Sequence, residues 1–427
     1  MRQQLRGVWH ETLRALDERL RRWTPRCRGD AERRLAAGGD VVLVAFGKAA
    51  RTMATAWLTA PLPRERQRGL VVTATGDAAP LPPFEVVAAG HPLPDDGSFA
   101  AAARALALCH GATARDHVQF LVSGGGSAML ELPLDPTITV AEWRHFYRAL
   151  VGSGAPIDHV NRIRRRLSAV KGGRLAAAAA RAASQTTVVV RDVPGPVADV
   201  ASGPTGDFAD EPDRLLQDLR DAGCLAALPA ALRGRVERGE VPPLPALPEP
   251  GSRLAWITVL DEGDLRRAAM ARLHALGLAC DAVEDADDLP CEAAATRLLR
   301  RLDGLHRANP GRAVAVVATG ELSVPLPADA GTGGRNQQFV LQCATRIDGR
   351  PITVLSCGSD GIDGNSPAAG AVADGSTLAR ARALGLDVPG ALRRCDAFPL
   401  LHALGDTVVT GPTGTNVRDL RVLVHAG

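Results

Sequence analysis

Short runs of valine and leucine recur along this chain, each closing on a polar or glycine-rich turn and most leading into an alanine-rich stretch with helical spacing. Leu5, Val8, Trp9, Leu13, Leu16, Leu20 and Trp23 fall at helical intervals within residues 4–24, which predicts a packing helix. Asp40 to Ala45 then reads as a buried strand, and Phe46-Gly-Lys-Ala-Ala50 turns it into a helix running to about Leu58. Gly69 to Thr73 and Phe84 to Ala88 are further strands, with a turn at His91 to Gly97 and a helix over 98–110. His117 to Val122 is a strand ending in Ser123-Gly-Gly-Gly-Ser127, and Thr187 to Val190 ends at Arg191-Asp192. Near-continuous apolar strands alternating with helices predict a parallel sheet covered on both faces, with ligands at the strand C-termini.

A break comes at Val241 to Gly251, where five prolines in eleven residues predict a stiff linker or an edge loop, and the domain boundary is expected there. At 427 residues the chain exceeds what one core sustains, so the expected division is 1–240, a linker at 241–251, and 252–427. The second part repeats the α/β pattern: a strand from Leu254 to Leu260, a helix near 263–276, and strands at Ala313 to Ala318 and Ile352 to Ser356.

Composition narrows the function classes. No run approaches the roughly 18 apolar residues of a membrane span, and the N-terminus has no apolar secretory core, so a soluble cytoplasmic protein is expected. Eight scattered cysteines form no metal-binding pair. A net charge of +3 with 3% aromatics argues against nucleic acid. Of the 50 basic Lys and Arg residues, only Lys48 and Lys171 are lysine, and both adjoin glycine. A lysine kept against so strong an arginine bias marks a place where a compact, strongly hydrated point charge is needed.

The chain has no P-loop, dinucleotide fingerprint, Gly-x-Ser-x-Gly elbow or His-Glu-x-x-His. What remains is a set of glycine turns. Ser123, Gly124, Gly125, Gly126 and Ser127 follow a buried strand, and their amides and hydroxyl donors would suit a phosphate; a merely flexible turn is the alternative. Lys48 sits in a similar strand-to-helix turn. Arg164, Ser168 and Lys171 are spaced to line one side of a helix, although several arginines around them form a solvated face. Arg335 and Asn336 precede an apolar helical run, where a guanidinium would clamp phosphate or carboxylate. Asp360 and Asp363, among glycines, would hold Mg²⁺ or form Asx turns. Thr413 and Asn416 lie in a turn that is either a polar binding turn or a structural one.

Taken in order, Phe46-Gly-Lys-Ala, Gly90-His-Pro-Leu-Pro-Asp, Leu121 to Ala128, Asn161 to Arg174, Ala201-Ser-Gly-Pro-Thr205, Gly320-Glu321, Gly333-Gly-Arg-Asn-Gln, Asp360-Gly-Ile-Asp-Gly, Ala368-Ala-Gly-Ala and Thr410 to Asn416 resemble the type II glycerate kinases with a MOFRL C-terminal domain. The resemblance implies a Rossmann-like N-terminal domain, a smaller α/β C-terminal domain, and an active site in the cleft between. It implies ATP- and Mg²⁺-dependent phosphorylation of D-glycerate, or a close hydroxy acid, giving 2-phosphoglycerate. Lys48, Arg335 and Asp360 would be catalytic; the Ser123–Ser127 turn, Lys171 and Asn336 would bind nucleotide phosphate. Arg164, Ser168, Thr413 and Asn416 would bind substrate, and Asp192, Glu321 and Asp360 the metal. A homodimer is left open. The chain departs from the family where it carries Pro196, Gln338 and Pro367 in place of acids. Hydroxypyruvate reductase and a non-catalytic ligand-binding relative are the competing readings.

Overall fold

The computed structural model describes residues 1–427 apart from 23, 24, 194, 210, 212, 213 and 249–252. Trp23 and the end of the proline-rich segment therefore lie outside the described residues. The chain forms two compact units, residues 20–259 and residues 1–19 with 260–427. Among the described residues no helix is long and apolar enough to cross a membrane.

The strands of the first unit are β1 (Val41–Phe46), β2 (Gln67–Ala74), β3 (Glu85–Ala89), β4 (His117–Ser123), β5 (Ser184–Val190) and β6 (Leu254–Leu260), in the sheet order β3-β2-β1-β4-β5-β6. The ladders joining β1 to β2 and β4, β2 to β3, and β4 to β5 are all parallel. Every residue of β1, β4 and β5 is buried, as expected of strands covered on both faces; β1 is wholly apolar, while β4 and β5 also enclose polar residues such as Gln119 and Gln185. Val42, Val44, Phe46, Phe120 and Val122 pack in one core with Ala101, Ala102 and Ala105 of the helix Asp96–His110. Alanine on that helix lets it lie close to the sheet. Asp95 starts it with a capping box, accepting from Ser98 N while Ser98 Oγ accepts from Asp95 N.

The boundary differs from the expected one. β6 completes the first sheet beside β5, so residues 254–259 belong to the first unit. The proline-rich stretch is no free linker. Arg166 Nη2 donates to Val241 O at 3.3 Å, and Arg174 Nη2 donates to Pro242 O at 3.1 Å and Pro243 O at 3.3 Å. Leu244 fills the place a Cβ on Gly172 would need, 2.7 Å away. Proline removes backbone donors, and here the arginines satisfy the acceptors it leaves.

The second unit begins with most of the helix Arg2–Arg21, whose apolar stripe Leu5, Val8, Trp9 and Leu16 is buried. Arg2 pairs with Asp374 at 3.0 Å and Asp406 at 2.8 Å, tying the N-terminus to distant sequence in the same unit. Its strands are β7 (Ala279–Val283), β8 (Val314–Gly320), β9 (Ile352–Gly358), β10 (Gly370–Asp374), β11 (Thr407–Val408) and β12 (Asp419–His425), ordered β11-β10-β9-β12-β8-β7. Only β7 and β8 run parallel; β12 is inserted antiparallel between β8 and β9. This unit is α/β as expected, but its sheet is mixed, since the last strand of the chain takes the centre.

Candidate active site

In the first sheet the chain moves from β1 towards β3 on one side, then crosses to β4 on the other, so β1 and β4 flank the point where the strand order reverses. At such a point the loops leaving the two strands diverge and open a crevice. Gly47-Lys48 leaves β1 there, and Ser123 to Gly126 leaves β4.

The two turns are tied together. Lys48 N donates to Gly124 O at 2.8 Å, and Ala49 N donates to Ser123 Oγ at 3.0 Å. Gly47 has φ +109°, and a Cβ on it would lie 2.4 Å from Ser123 O, so neither the conformation nor the space admits a side chain. Gly125 (φ +82°) sits so close that a Cβ would come within 3.2 Å of both Lys48 Cγ and His91 Cδ2. At Gly124 a Cβ would meet Asp192 Oδ2 at 1.5 Å. Lys48, His91 and Asp192, from turns after β1, β3 and β5, thus surround the glycines after β4. His91 is a site residue that spacing and composition do not mark. Ser123 is wholly buried, and its hydroxyl ties the turns rather than facing outward.

Below the glycine turn lies a polar relay. Ser127 Oγ and Ser202 Oγ are 2.9 Å apart, Ser202 Oγ donates to Asn161 Oδ1 at 2.9 Å, and Arg164 Nη1 donates to the same oxygen at 3.2 Å. Arg164 lies over the Tyr147 ring at 4.8 Å, and Tyr147 Oη donates to Ser127 O at 2.8 Å. Burial pushes the Tyr147 hydroxyl's pKa well up, so it stays a donor. Ser202 reaches this position from a left-handed backbone, φ +62°, next to Ala201 at +56°. Two successive non-glycine residues in that region are uncommon and hold strain at a site.

The expected trio on one helix side does not form. The helix Ile157–Leu167 ends before Ser168, which is extended, and Ser168 Oγ donates to Leu132 O at 3.3 Å. Lys171 is fully enclosed, 3.1 Å from Glu131 Oε2, and donates to Leu130 O at 2.9 Å. Burial pushes its pKa down, against the pull of Glu131. An ammonium so placed anchors the fold and does not reach a phosphate.

In the second unit, Arg335 opens the helix Arg335–Ala344 and is held by two carboxylates: Nε donates to Asp419 Oδ2 at 2.6 Å, and Nη2 lies 2.7 Å from Glu321 Oε1. Burial opposes the charge but is outweighed by Asp419 and Glu321, which push the guanidinium's pKa further up. Burial pushes Glu321 up as well. Asp363 caps the same helix, accepting from Asn336 N at 3.0 Å and Gln337 N at 2.9 Å. Burial raises its pKa to about 6 despite those bonds. Asn336 is internal, bonded to Asp363 and Ser356. Asp360 Oδ1 accepts from Ile362 N at 3.1 Å, an Asx turn, and Thr413 Oγ1 donates to Ser359 O at 2.5 Å. Asn416 Oδ1 accepts from Arg418 N at 3.2 Å, and Gln338 Nε2 donates to Leu392 O at 2.9 Å, a bond glutamate could not make.

Among the described residues no three His, Cys, Asp or Glu side chains gather as a metal cage. Asp192 meets the glycine turn, whereas Glu321 pairs with Arg335 and Asp360 folds onto its own turn.

Known proteins match the chain over most of its length. The family model described as "Domain of unknown function (DUF4147)" matches residues 5–237, and the MOFRL family matches 314–419. A D-glycerate 2-kinase of Thermotoga maritima is 34% identical over 387 residues, covering 89% of each chain. An Agrobacterium vitis protein with a provisional hydroxypyruvate reductase name is 37% identical over 403 residues, 90% of this chain and 87% of that one. The crystal structure of a Thermotoga maritima glycerate kinase superposes with TM-score 0.82 at 30% identity, covering 99% of both chains. The chain belongs to the type II glycerate kinase family, phosphotransferases that act on an alcohol group.

Proposed function

We propose that this protein transfers the γ-phosphoryl group of ATP to a hydroxyl of D-glycerate, or of a close hydroxy acid, giving 2-phosphoglycerate from glycerate. The observation that carries this reading is the convergence of Lys48, His91 and Asp192 on the glycine turn after β4, where the strand order reverses. Phosphoryl transfer asks little covalent chemistry of a protein and much positioning and charge stabilisation. The glycine turn offers backbone amides at close range, and the Lys48 side chain passes beside it, its Cγ 3.2 Å from where a Gly125 Cβ would stand. The small ammonium meets charge that grows on the transferring group. Arg335 is the second cation in this reading.

Mg²⁺ characteristically takes one or two carboxylates and completes its shell with water and nucleotide phosphate. Asp192, with its carboxylate against Gly124, fits that demand. When bound, the ion would neutralise phosphate charge.

The reductase name of the Agrobacterium vitis relative finds no matching feature. A dinucleotide fold needs its glycine run after the first strand, and here β1 leads into Gly47-Lys-Ala-Ala50. The deciding experiment is ADP release across small hydroxy acids, with and without Mg²⁺, beside NADH absorbance with hydroxypyruvate. Mg²⁺-dependent ADP release with glycerate is expected. Oxidation of NADH without ADP release would replace the kinase reading by the reductase one.

A further inference from the structure

The hydroxyl relay fixes a polarity that the residue types alone leave open. A guanidinium has five donors and no acceptor, so the Asn161 atom facing Arg164 Nη1 at 3.2 Å is the amide oxygen. That same oxygen takes the proton of Ser202 Oγ at 2.9 Å. A serine has one proton to give. With Ser202's proton committed to Asn161, the 2.9 Å contact between Ser127 Oγ and Ser202 Oγ is made with the proton of Ser127. Ser127 is half-buried in the first turn after the glycines, and what remains to it there is lone pairs. The turn's serines suggest two hydroxyl donors, yet Ser123 is enclosed and Ser127 is an acceptor.

We infer that Ser127 acts as a hydrogen-bond acceptor towards the phosphate-accepting substrate and selects a 2-hydroxy acid over the 2-keto acid of the same skeleton, with Ser202 and Asn161 as positioning residues. The inference rests on the kinase reading proposed above. A substrate hydroxyl gives its proton to Ser127 and keeps its own lone pairs. A keto oxygen sets lone pairs against lone pairs in a partly desolvated place, and neither group is satisfied. Arg164, whose Nε is enclosed without a partner and whose guanidinium lies on Tyr147, offers its charge to the carboxylate of either acid and does not discriminate. The left-handed backbone at Ala201 and Ser202 serves this arrangement by carrying the Ser202 hydroxyl between Ser127 and Asn161.

The test is calorimetric binding of D-glycerate and hydroxypyruvate to the intact protein, read as the ratio of the two dissociation constants. The wild type should prefer glycerate by at least about tenfold. In Ser202→Ala the proton of Ser127 is released, the hydroxyl can turn and donate, and the ratio should fall at least about threefold, mainly through tighter keto-acid binding. Alanine keeps the Cβ already carried at this φ, so the backbone asks no more of it than of Ala201. Asn161→Ala should act in the same direction, because Ser202 is then free to donate to Ser127. Asn161→Asp keeps the acceptor and should keep the ratio. A wild type without preference, binding of neither acid, or a ratio unmoved in both Ser202→Ala and Asn161→Ala would each overturn the assignment. Loss of the preference in Asn161→Asp as well would mark a structural role and overturn it too. Failure of the kinase reading shows separately, as absence of ADP release with glycerate.

Discussion

Lys171 Nζ lies 3.1 Å from Glu131 Oε2 with both side chains wholly out of contact with solvent. Removing one member strands the other as a buried charge, so Lys171→Met should destabilise the protein by about 3–5 kcal/mol. The double variant Lys171→Met/Glu131→Leu should recover most of that loss and keep its kcat/KM. Urea titration and the ADP assay check both. A stable but inactive double variant would return Lys171 to the phosphate site.

Lys48→Arg should lower kcat at least tenfold, about 1.4 kcal/mol of transition-state stabilisation. The forked guanidinium is too broad for a turn in which Lys48 Cγ already lies 3.2 Å from the position of a Gly125 Cβ. Steady-state kinetics decide it; near-wild-type kcat is the adverse result.

Gly124→Ala places a methyl group where Asp192 Oδ2 now sits, 1.5 Å from the new Cβ. A carboxylate at the end of a side chain can swing away, so the fold should survive with Tm within about 4 °C of wild type, while activity falls at least about tenfold. Melting curves beside ADP release test the pair of outcomes. Full activity would separate Asp192 from the chemistry.

Arg335→Ala removes the partner of Asp419, whose side chain is 4% exposed. Arg421, wholly buried two residues along β12, still brings positive charge near Asp419, so the cost should sit at the low end of about 3–5 kcal/mol. In the folded variant kcat should fall more than KM rises, since charge developing in transfer meets the guanidinium late. A change in KM alone would make Arg335 a carboxylate clamp.

His117 should make the first unit acid-sensitive. Gln119 Nε2 donates to Thr186 O at 3.0 Å, which turns its oxygen to His117 Nε2, and Nδ1 lies 3.0 Å from Ser184 Oγ. The ring is enclosed as the neutral form, and burial lowers its pKa from 6.5 to about 4. The unfolded chain binds the proton first, so stability is lost as pH falls from about 6.5 towards about 4, by roughly 3 kcal/mol in all. Asp116 is held below the ordinary carboxylate range by its bonds to Thr113 and Asp40, which outweigh burial, and it adds to the loss only at lower pH. Urea midpoints against pH should flatten over this window in His117→Gln. An unchanged slope would refute the assignment.

β1 was legible because both its faces are buried and its apolar run is unbroken, β4 and β5 were legible from their shorter apolar stretches Phe120 to Val122 and Val188 to Val190, and Lys48 and the Ser123 turn stood out by residue type. The centre of the second sheet was not. β12 reads Asp-Leu-Arg-Val-Leu-Val-His, and two of its buried positions are the charged Asp419 and Arg421, which conceals a central strand. Lys171 misleads for a related reason: rarity marks a constrained lysine, and burial beside Glu131 constrains as strongly as catalysis does. Ser168 was misplaced because apolar spacing continued past the point where the helix stops. The Ser127 relay could not be read at all, since its partners Asn161 and Ser202 are far apart in the chain and meet only through the fold.

The bonds from Lys48 N to Gly124 O and from Ala49 N to Ser123 Oγ bear on anyone who would transplant this site. A loop graft carrying the lysine turn alone would arrive without the carbonyl and hydroxyl that give it shape, and the serine-glycine loop alone would leave those same acceptors idle. The portable unit is both loops together with the two neighbouring parallel strands that hold them in register.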